Sequence, residues 1–285
     1  ASDFGDLLTV NTFLSAGCAG QASVQPLTVG TAIGLFTAGY NSDTGAIIKN
    51  IDKIIIETTG NATAFGDLTV ARYDLGSVGS STRLVSGGGN IDFSNPSNVM
   101  DYVTFASLGN ATDFGDRTVS QFSVTGLSSS TRGLFAGGYS PANLNTIDYI
   151  NIDSTGDAVD FGDLTLARRT PAATSSFTRG VVQGGFASSY DDTVDYITIA
   201  SHGDAVNFGD LSVARTSAAA GANTTRAICY GGDVSDAAQN TIDYITITSA
   251  GNSTDFGDAA VATIGNAGCS NGHGGLDVYD PTTRV

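Results

Sequence analysis

The sequence predicts an all-β fold, a six-bladed β-propeller of four-stranded blades whose ring is closed by the N-terminal strand. The tripeptide Phe-Gly-Asp occurs six times, with its Phe and Asp at Phe4, Asp6, Phe65, Asp67, Phe114, Asp116, Phe161, Asp163, Phe208, Asp210, Phe256 and Asp258. Its phenylalanines stand 61, 49, 47, 47 and 48 residues apart, a period typical of propeller blades. Each interval holds four short strand patterns and leaves no room for a helix. We therefore expect a single propeller domain over residues 1–285, with six repeats of about 47 residues and an insertion in the first repeat near residues 18–30.

The unit that begins at Thr131 shows the four strands in order. An apolar strand after Arg132 runs into a glycine pair, Gly137 and Gly138. The segment 146–152 then places apolar side chains on both of its faces, which is typical of a sheet covered on both sides, as a blade is by its two neighbours. A third strand, 161–168, contains the glycine of the signature, and the small residues of 172–177 are suited to a fourth strand beside a crowded axis.

The two ends of the chain break the pattern in complementary ways. Phe4 has no Ile-Asp-Tyr strand before it, whereas the segment 275–279 has the pattern of the first strand of a blade that is not completed. We expect the N-terminal strand to complete the sixth blade, because closure removes an open sheet edge that would otherwise pair with other chains.

Charge and composition exclude several classes of partner and site. The chain carries 28 acidic and 12 basic residues, a net charge of −16, which disfavours binding to nucleic acid. It has no apolar run of membrane-spanning length and no signal segment at its start, so we expect no membrane insertion. Three cysteines without C-x-x-C spacing are expected to be free thiols, and His202 and His273 lack a second ligand. No metal or other cofactor is expected.

The repeats resemble two groups of known proteins. A glycine pair, a tyrosine strand, an aromatic strand and an arginine follow one another as in kelch repeats, with Phe in place of Trp. The motifs S-T-R-G-L-F-A-G-G-Y, N-T-I-D-Y-I, D-F-G-D-L-T-x-A-R and C-S-N-G-H-G-G-L resemble repeat proteins of marine tailed phages, especially cyanophages, where such proteins occur among virion and tail-fibre-like proteins. This resemblance covers nearly the whole chain and implies a virion structural or host-contact protein.

Two sets of repeated polar residues are candidates for chemistry. The aspartates of the signature are consistent with a ring of cation ligands or with ties to the backbone at a glycine turn, and recurrence once per blade favours the ties. A second set combines arginines 18 residues after each Phe with the aspartates of the Ile-Asp-Tyr strands. Its members are Arg83, Arg132, Arg179, Arg226, Asp101, Asp148, Asp195 and Asp243. We expect these to pair with each other between strands, the alternative being a ring that binds carbohydrate or carboxylate groups.

Near-identical blades lack the asymmetric group of residues that catalysis requires, so no catalytic residues are assigned. We expect a non-enzymatic structural or binding propeller in a phage virion, as a tail, fibre or capsid-surface module made in the host cytoplasm. Its expected partners are other virion proteins within a larger assembly and host-surface glycans. The alternatives are a cellular kelch-type protein-interaction adaptor and a propeller enzyme that degrades glycans.

Overall fold

The computed structural model describes residues 6–7, 15–19, 33–56, 58–265 and 267–268 of the 285-residue chain. In these ranges the chain forms twenty-one β-strands and no helix, so no described helix is able to cross a membrane. The strands group into five antiparallel sheets arranged as the blades of a propeller. The predicted all-β propeller is therefore confirmed.

Each blade is a meander that runs from an inner to an outer strand. Blade 1 contains β1 Ser15–Ala19, β2 Ile33–Asn41, β3 Ala46–Ile55 and β4 Thr63–Asp67. Blade 2 contains β5 Gly76–Gly79, β6 Arg83–Gly87, β7 Val99–Thr104 and β8 Thr112–Asp116. Blade 3 contains β9 Thr125–Ser128, β10 Arg132–Ala136, β11 Thr146–Asn151 and β12 Val159–Asp163. Blade 4 contains β13 Ala172–Ser175, β14 Arg179–Phe186, β15 Tyr190–Thr198 and β16 Val206–Asp210. Blade 5 contains β17 Ala219–Ala222, β18 Arg226–Tyr230, β19 Asp233–Val234, β20 Ala237–Thr246 and β21 Thr254–Thr263.

The predicted count of six blades, with a ring closed by the N-terminal strand, is wrong. The signature forms the outer strand of a blade, so six signatures mark the boundaries of five complete units. Asp6, which belongs to the first signature, lies against blade 1: its backbone oxygen accepts a hydrogen bond from the Ala62 amide at 2.8 Å. Phe4, the segment 275–279 and most of the expected insertion near residues 18–30 lie outside the described residues.

The inner strands β1, β5, β9, β13 and β17 pack side by side around the axis, as the small residues of 172–177 predicted. Close approach explains their composition: a Cβ on Gly126 of β9 would lie 2.3 Å from the Ser77 carbonyl oxygen of β5. The axis encloses a narrow cavity of about 150 Å³ lined by small residues such as Gly76, Ala172 and Ala219.

The hydrophobic core lies between the blades. In β11, Ile147 packs in the cluster shared with blade 4, whereas Ile150, on the opposite face, packs in the cluster shared with blade 2. The prediction that this strand is covered on both faces is confirmed. Full burial of one such side chain stabilises the fold by about 1.5–3 kcal/mol, so each blade is stabilised mainly by its neighbours.

Candidate functional site

The Phe-Gly-Asp signature is a latch between consecutive blades. In blade 3, Gly162 pairs with Ile147 while Asp160 pairs with Asp148, so Phe161 is the extra residue of a β-bulge. A bulge redirects a side chain, and the ring of Phe161 is buried among residues of blades 3 and 4. The same bulge occurs at Phe65, Phe114, Phe208 and Phe256.

The Gly and Asp of the signature contact the turn between the third and fourth strands of the next blade. Gly162 has φ +148°, and a Cβ there would lie 2.6 Å from the Gly203 carbonyl carbon. The Asp163 carbonyl accepts a hydrogen bond from the Ala205 amide at 2.8 Å, and the Asp163 amide donates to Asp204 Oδ1 at 3.0 Å. A tie to the next blade was predicted, but the backbone of the aspartate makes it, not the carboxylate.

This latch recurs with one exception. Equivalent backbone bonds are made by Asp6, Asp67, Asp116 and Asp210. At Asp258 no such bond is seen among the described residues, a Cβ on Gly257 would meet nothing within 4 Å, and Phe256 is 58 % exposed. Within the described ranges, no group of three or more His, Cys, Asp or Glu side chains is arranged to hold a metal ion.

The aspartates of the Ile-Asp-Tyr strands form buried ion pairs, but with different arginines from those predicted. Arg72 binds Asp101 at 2.8 Å, Arg168 binds Asp195 at 3.0 Å and Arg215 binds Asp243 at 2.9 Å. These arginines stand seven residues after the signature Phe, not 18. Each comes from the end of the preceding blade, because the aspartate faces that blade. The pairs are therefore ties between blades.

The arginines 18 residues after the Phe have another role. Arg83, Arg132, Arg179 and Arg226 stack on Tyr102, Tyr149, Tyr196 and Tyr244, with the guanidinium carbon 4.5–5.1 Å from the ring centre. Three of them also donate to a carbonyl oxygen of the following blade, for example Arg179 Nη1 to Ile247 at 3.0 Å. The predicted pairing of these arginines with the strand aspartates is wrong, since cation–π contacts occupy their guanidinium groups.

One blade junction carries a compensating exchange. Other units have Leu three residues and Arg seven residues after the Phe, as in Leu164 and Arg168, whereas the junction of blades 2 and 3 has Arg117 and Gln121. Arg117 reaches Asp148 at 2.9 Å and replaces the usual arginine. Gln121 is fully buried, and its amide atoms have no hydrogen-bond partner in the described structure.

The described histidine and the described free cysteine both pack in the interior. His202 stacks between Tyr149 and Phe161, with ring centres 4.5 and 5.4 Å away. Cys229 is a buried free thiol in β18, as predicted. His273, Cys269 and the side chain of Cys18 lie outside the described residues.

The most varied surface is the upper rim. We define it as the residues that follow the outer strands together with those that follow the glycine pairs. Antiparallel pairing places both connections at the same end of the blades. Backbone bridges join them across each junction, at Tyr73 and Asn90, Phe122 and Tyr139, Arg169 and Phe186, and Thr216 and Asp233.

Next to these bridges, a chain of backbone hydrogen bonds surrounds the axis. Asp74, Ser123, Thr170 and Ser217 all have a left-handed backbone, with φ between +51° and +57°. The amide of each one donates to the carbonyl of the one before it, at 2.8–3.1 Å. The upper rim therefore has a regular backbone that carries different side chains in every blade.

Upper-rim side chains form an aromatic arc that ends in a polar sector. Phe93 contacts Tyr40 and Tyr73, with ring centres 5.4 and 5.3 Å away. Further round, Arg169 lies between Tyr139 and Phe186, its guanidinium carbon 5.2 and 4.6 Å from the ring centres. The arc ends where the Tyr190 hydroxyl donates to Asp233 Oδ2 at 3.1 Å.

Differences among the repeats are concentrated at this rim. The loop between the second and third strands spans residues 88–98 in blade 2 but only 187–189 in blade 4. At the opposite end, the turns Ser80–Arg83 and Ser129–Arg132 have the same sequence and the same backbone bond between first and last residue, at 2.9 and 2.8 Å. Aligning the repeats on the Phe reveals this contrast from the sequence alone, because the residue eight positions on is Tyr, Phe, Arg, Thr or Ile.

Asp74 is the titratable group at the axial end of the rim, and it provides a test by pH. Burial raises the pKa of Asp74 to about 6, and a hydrogen bond from Ser123 Oγ at 3.1 Å partly opposes that rise. Because the folded state binds this proton more tightly than the unfolded state, the stability contributed here is lost as the pH rises from about 4 to about 6.

Asp74→Asn is expected to raise the free energy of unfolding by about 2 kcal/mol at pH 8 and to leave it nearly unchanged at pH 4. Asn retains the acceptor for Ser123 and tolerates the left-handed backbone. Urea unfolding of the two proteins at both pH values measures the difference, and a gain of the same size at pH 4 and pH 8 would contradict this assignment.

Comparisons with known proteins do not assign the site. No protein-family model matches the chain, and no curated protein sequence matches it.

Proposed function

We propose that the protein is a non-enzymatic binding module that presents its upper rim to a partner, as a component of a phage virion in the tail, in a fibre or on the capsid surface. The observation that carries the proposal is the concentration of repeat differences on one rim. Where repeats must pack against each other, each position keeps one residue type; where a surface recognises a partner of another shape, each repeat needs its own side chain. Loops at one end of a rigid scaffold commonly carry binding.

The remaining parts of the molecule support a binding role. Four buried ion pairs, the signature latches and the arginine–tyrosine stacks all act within or between the blades. A propeller fold is consistent with a protein-interaction role, and the likeness of the repeat motifs to tailed-phage repeat proteins supports the placement in a virion.

The test follows the chain into particles made by the phage that encodes it. We expect an antibody to this chain to label purified virions, and mass spectrometry to find the chain in them. Asn95→Lys places a charge on the exposed upper-rim loop of blade 2, and Ser130→Lys places the same charge on an exposed lower turn of blade 3. Asn95→Lys is expected to reduce incorporation at least about tenfold and Ser130→Lys to leave it unchanged, because an interface that loses about 1.4 kcal/mol loses a factor of ten.

A chain that stays in the soluble fraction of the lysate and is absent from particles would contradict the virion proposal and favour a cellular adaptor. Equal incorporation of both lysine variants would contradict the assignment of the upper rim.

A further inference from the structure

One part of the upper rim has an aromatic side chain that faces solvent. Phe93, in the long loop of blade 2, is 60 % exposed, and its ring rests against Tyr40 and Tyr73. Tyr40 and Tyr73 also contact each other, with ring centres 6.3 Å apart. We call Tyr40, Tyr73, Phe93 and the neighbouring Asp92 the aromatic–acidic patch.

Carboxylates lie close enough to this patch to act on it. Burial raises the pKa of Tyr73, and the negative charges of Asp74 and Asp92 raise it further. Asp92 itself is exposed and accepts hydrogen bonds from the backbone and hydroxyl of Ser94 at 3.3 and 3.2 Å. An aromatic face beside a carboxylate attracts cations by two separate interactions.

The same rim shows what such rings bind when the chain supplies it. At the junction of blades 3 and 4, the position equivalent to Tyr73 is Arg169, whose guanidinium is held between Tyr139 and Phe186. At the junction of blades 1 and 2, the chain places Tyr73 and Asp74 where the other junction has Arg169 and Thr170. Aromatic rings and a carboxylate are thus present, while Phe93 turns its ring outward.

The charge of the whole molecule favours a cationic partner. Of its 12 basic residues, Arg72, Arg117, Arg168 and Arg215 are consumed in buried ion pairs, and Arg83, Arg132, Arg179 and Arg226 stack on tyrosines. Lys49 lies 3.5 Å from Asp67. The net charge of −16 is therefore displayed with little compensation, and complementary potentials steer association with a basic surface.

We propose that the aromatic–acidic patch binds an arginine or lysine side chain from a basic segment of a partner protein. The proposal rests on the proposed binding role of the upper rim and names the chemistry of the partner. The cation stacks on Phe93, and its N–H groups donate to the Asp92 carboxylate.

The probe is a fluorescein-labelled peptide, Gly-Arg-Gly-Arg-Gly, whose binding to the full chain is followed by anisotropy. The measurement is made at about 0.15 M salt, where screening over about 8 Å suppresses attraction by distant charges. Phe93→Gly removes the ring and keeps the loop, because the backbone φ of +69° is one that glycine adopts without strain. Phe256→Ala is the matched control, since Phe256 is 58 % exposed and lies on blade 5.

We expect Phe93→Gly to weaken peptide binding at least tenfold, Asp92→Asn to weaken it about threefold to tenfold, and Phe256→Ala to leave it unchanged. Equal binding by all variants would overturn the proposal in favour of general attraction to an acidic surface. No binding of the peptide would overturn it as well. Binding of neutral oligosaccharides that is lost in Phe93→Gly, without peptide binding, would assign the patch to sugars instead. Incorporation into particles that depends on Asn95 while the peptide fails to bind would leave the proposed function standing and remove only this inference.

Discussion

Arg117→Leu is expected to lower the free energy of unfolding by about 3–5 kcal/mol, the cost of removing one partner of a buried ion pair. Arg117 Nη2 lies 2.9 Å from Asp148 Oδ2, both side chains are fully buried, and the guanidinium also stacks on Phe135. Without Arg117, the Asp148 carboxylate keeps the hydrogen bond from Thr118 and loses its compensating charge. Urea unfolding followed by circular dichroism measures the loss.

The sharper test is rescue by a second substitution. Arg117→Leu combined with Gln121→Arg recreates the Leu and Arg arrangement of Leu164 and Arg168 at the neighbouring junction. The path for the new side chain exists already, because Gln121 Cδ and Arg168 Cδ both lie 3.3 Å from the Cβ position of the second glycine of the next blade, at Gly138 and Gly185.

We expect the double variant to recover to within about 1 kcal/mol of the parent chain, and Gln121→Arg alone to be destabilised because it would bury a second guanidinium at one carboxylate. A double variant no more stable than Arg117→Leu would contradict the interpretation of these two residues as an exchange.

The blade count illustrates what a repeat period does and does not establish. A period near 47 residues predicts four-stranded units and hence a propeller, as observed. The signature that defines the period belongs to the contact between two units, and each contact has a residue on either side. Counting Phe-Gly-Asp therefore counts junctions. The first copy supplies only Asp6 against blade 1, while the last ends blade 5 at an exposed Phe256.

The ion pairs show why spacing could not select the correct arginine. Each unit has two arginines at fixed offsets, and both offsets are equally regular. The bulge at the Phe decides which one meets the aspartate, because it shifts the register between the outer strand and the Ile-Asp-Tyr strand. One signal in the sequence did favour the nearer arginine: where Gln121 replaces it, Arg117 appears four residues earlier.

The upper rim was missed because the search for function looked for residues that recur. A site built on a repeat scaffold lies where the repeats differ, since recurrence reports the packing that every unit shares. Tyr73, Phe122, Arg169 and Thr216 occupy one position in four junctions with the same backbone bridge and four different side chains. The contrast between that regular backbone and its changing side chains is visible only once the bridges are known.

Phe161→Ala and Phe256→Ala are expected to have very different effects although they change the same residue of the same motif. Both rings pack edge-on against a tyrosine, Phe161 against Tyr149 at 5.9 Å and Phe256 against Tyr244 at 6.1 Å. Phe161 is 3 % exposed because blade 4 covers it, whereas Phe256 is 58 % exposed. Removing a buried phenylalanine ring costs about 3–5 kcal/mol, since it leaves a cavity between two blades.

The exposed ring of Phe256 stabilises little, so its removal is expected to cost less than about 1 kcal/mol. Parallel urea melts of the parent chain and the two variants measure both values, and their similar tyrosine contacts make each variant the control for the other. A loss at Phe256 as large as that at Phe161 would contradict this prediction, because a ring contributes several kcal/mol only when a second surface excludes water from it. The outer face of blade 5 would then be covered in solution as the outer faces of the other four blades are.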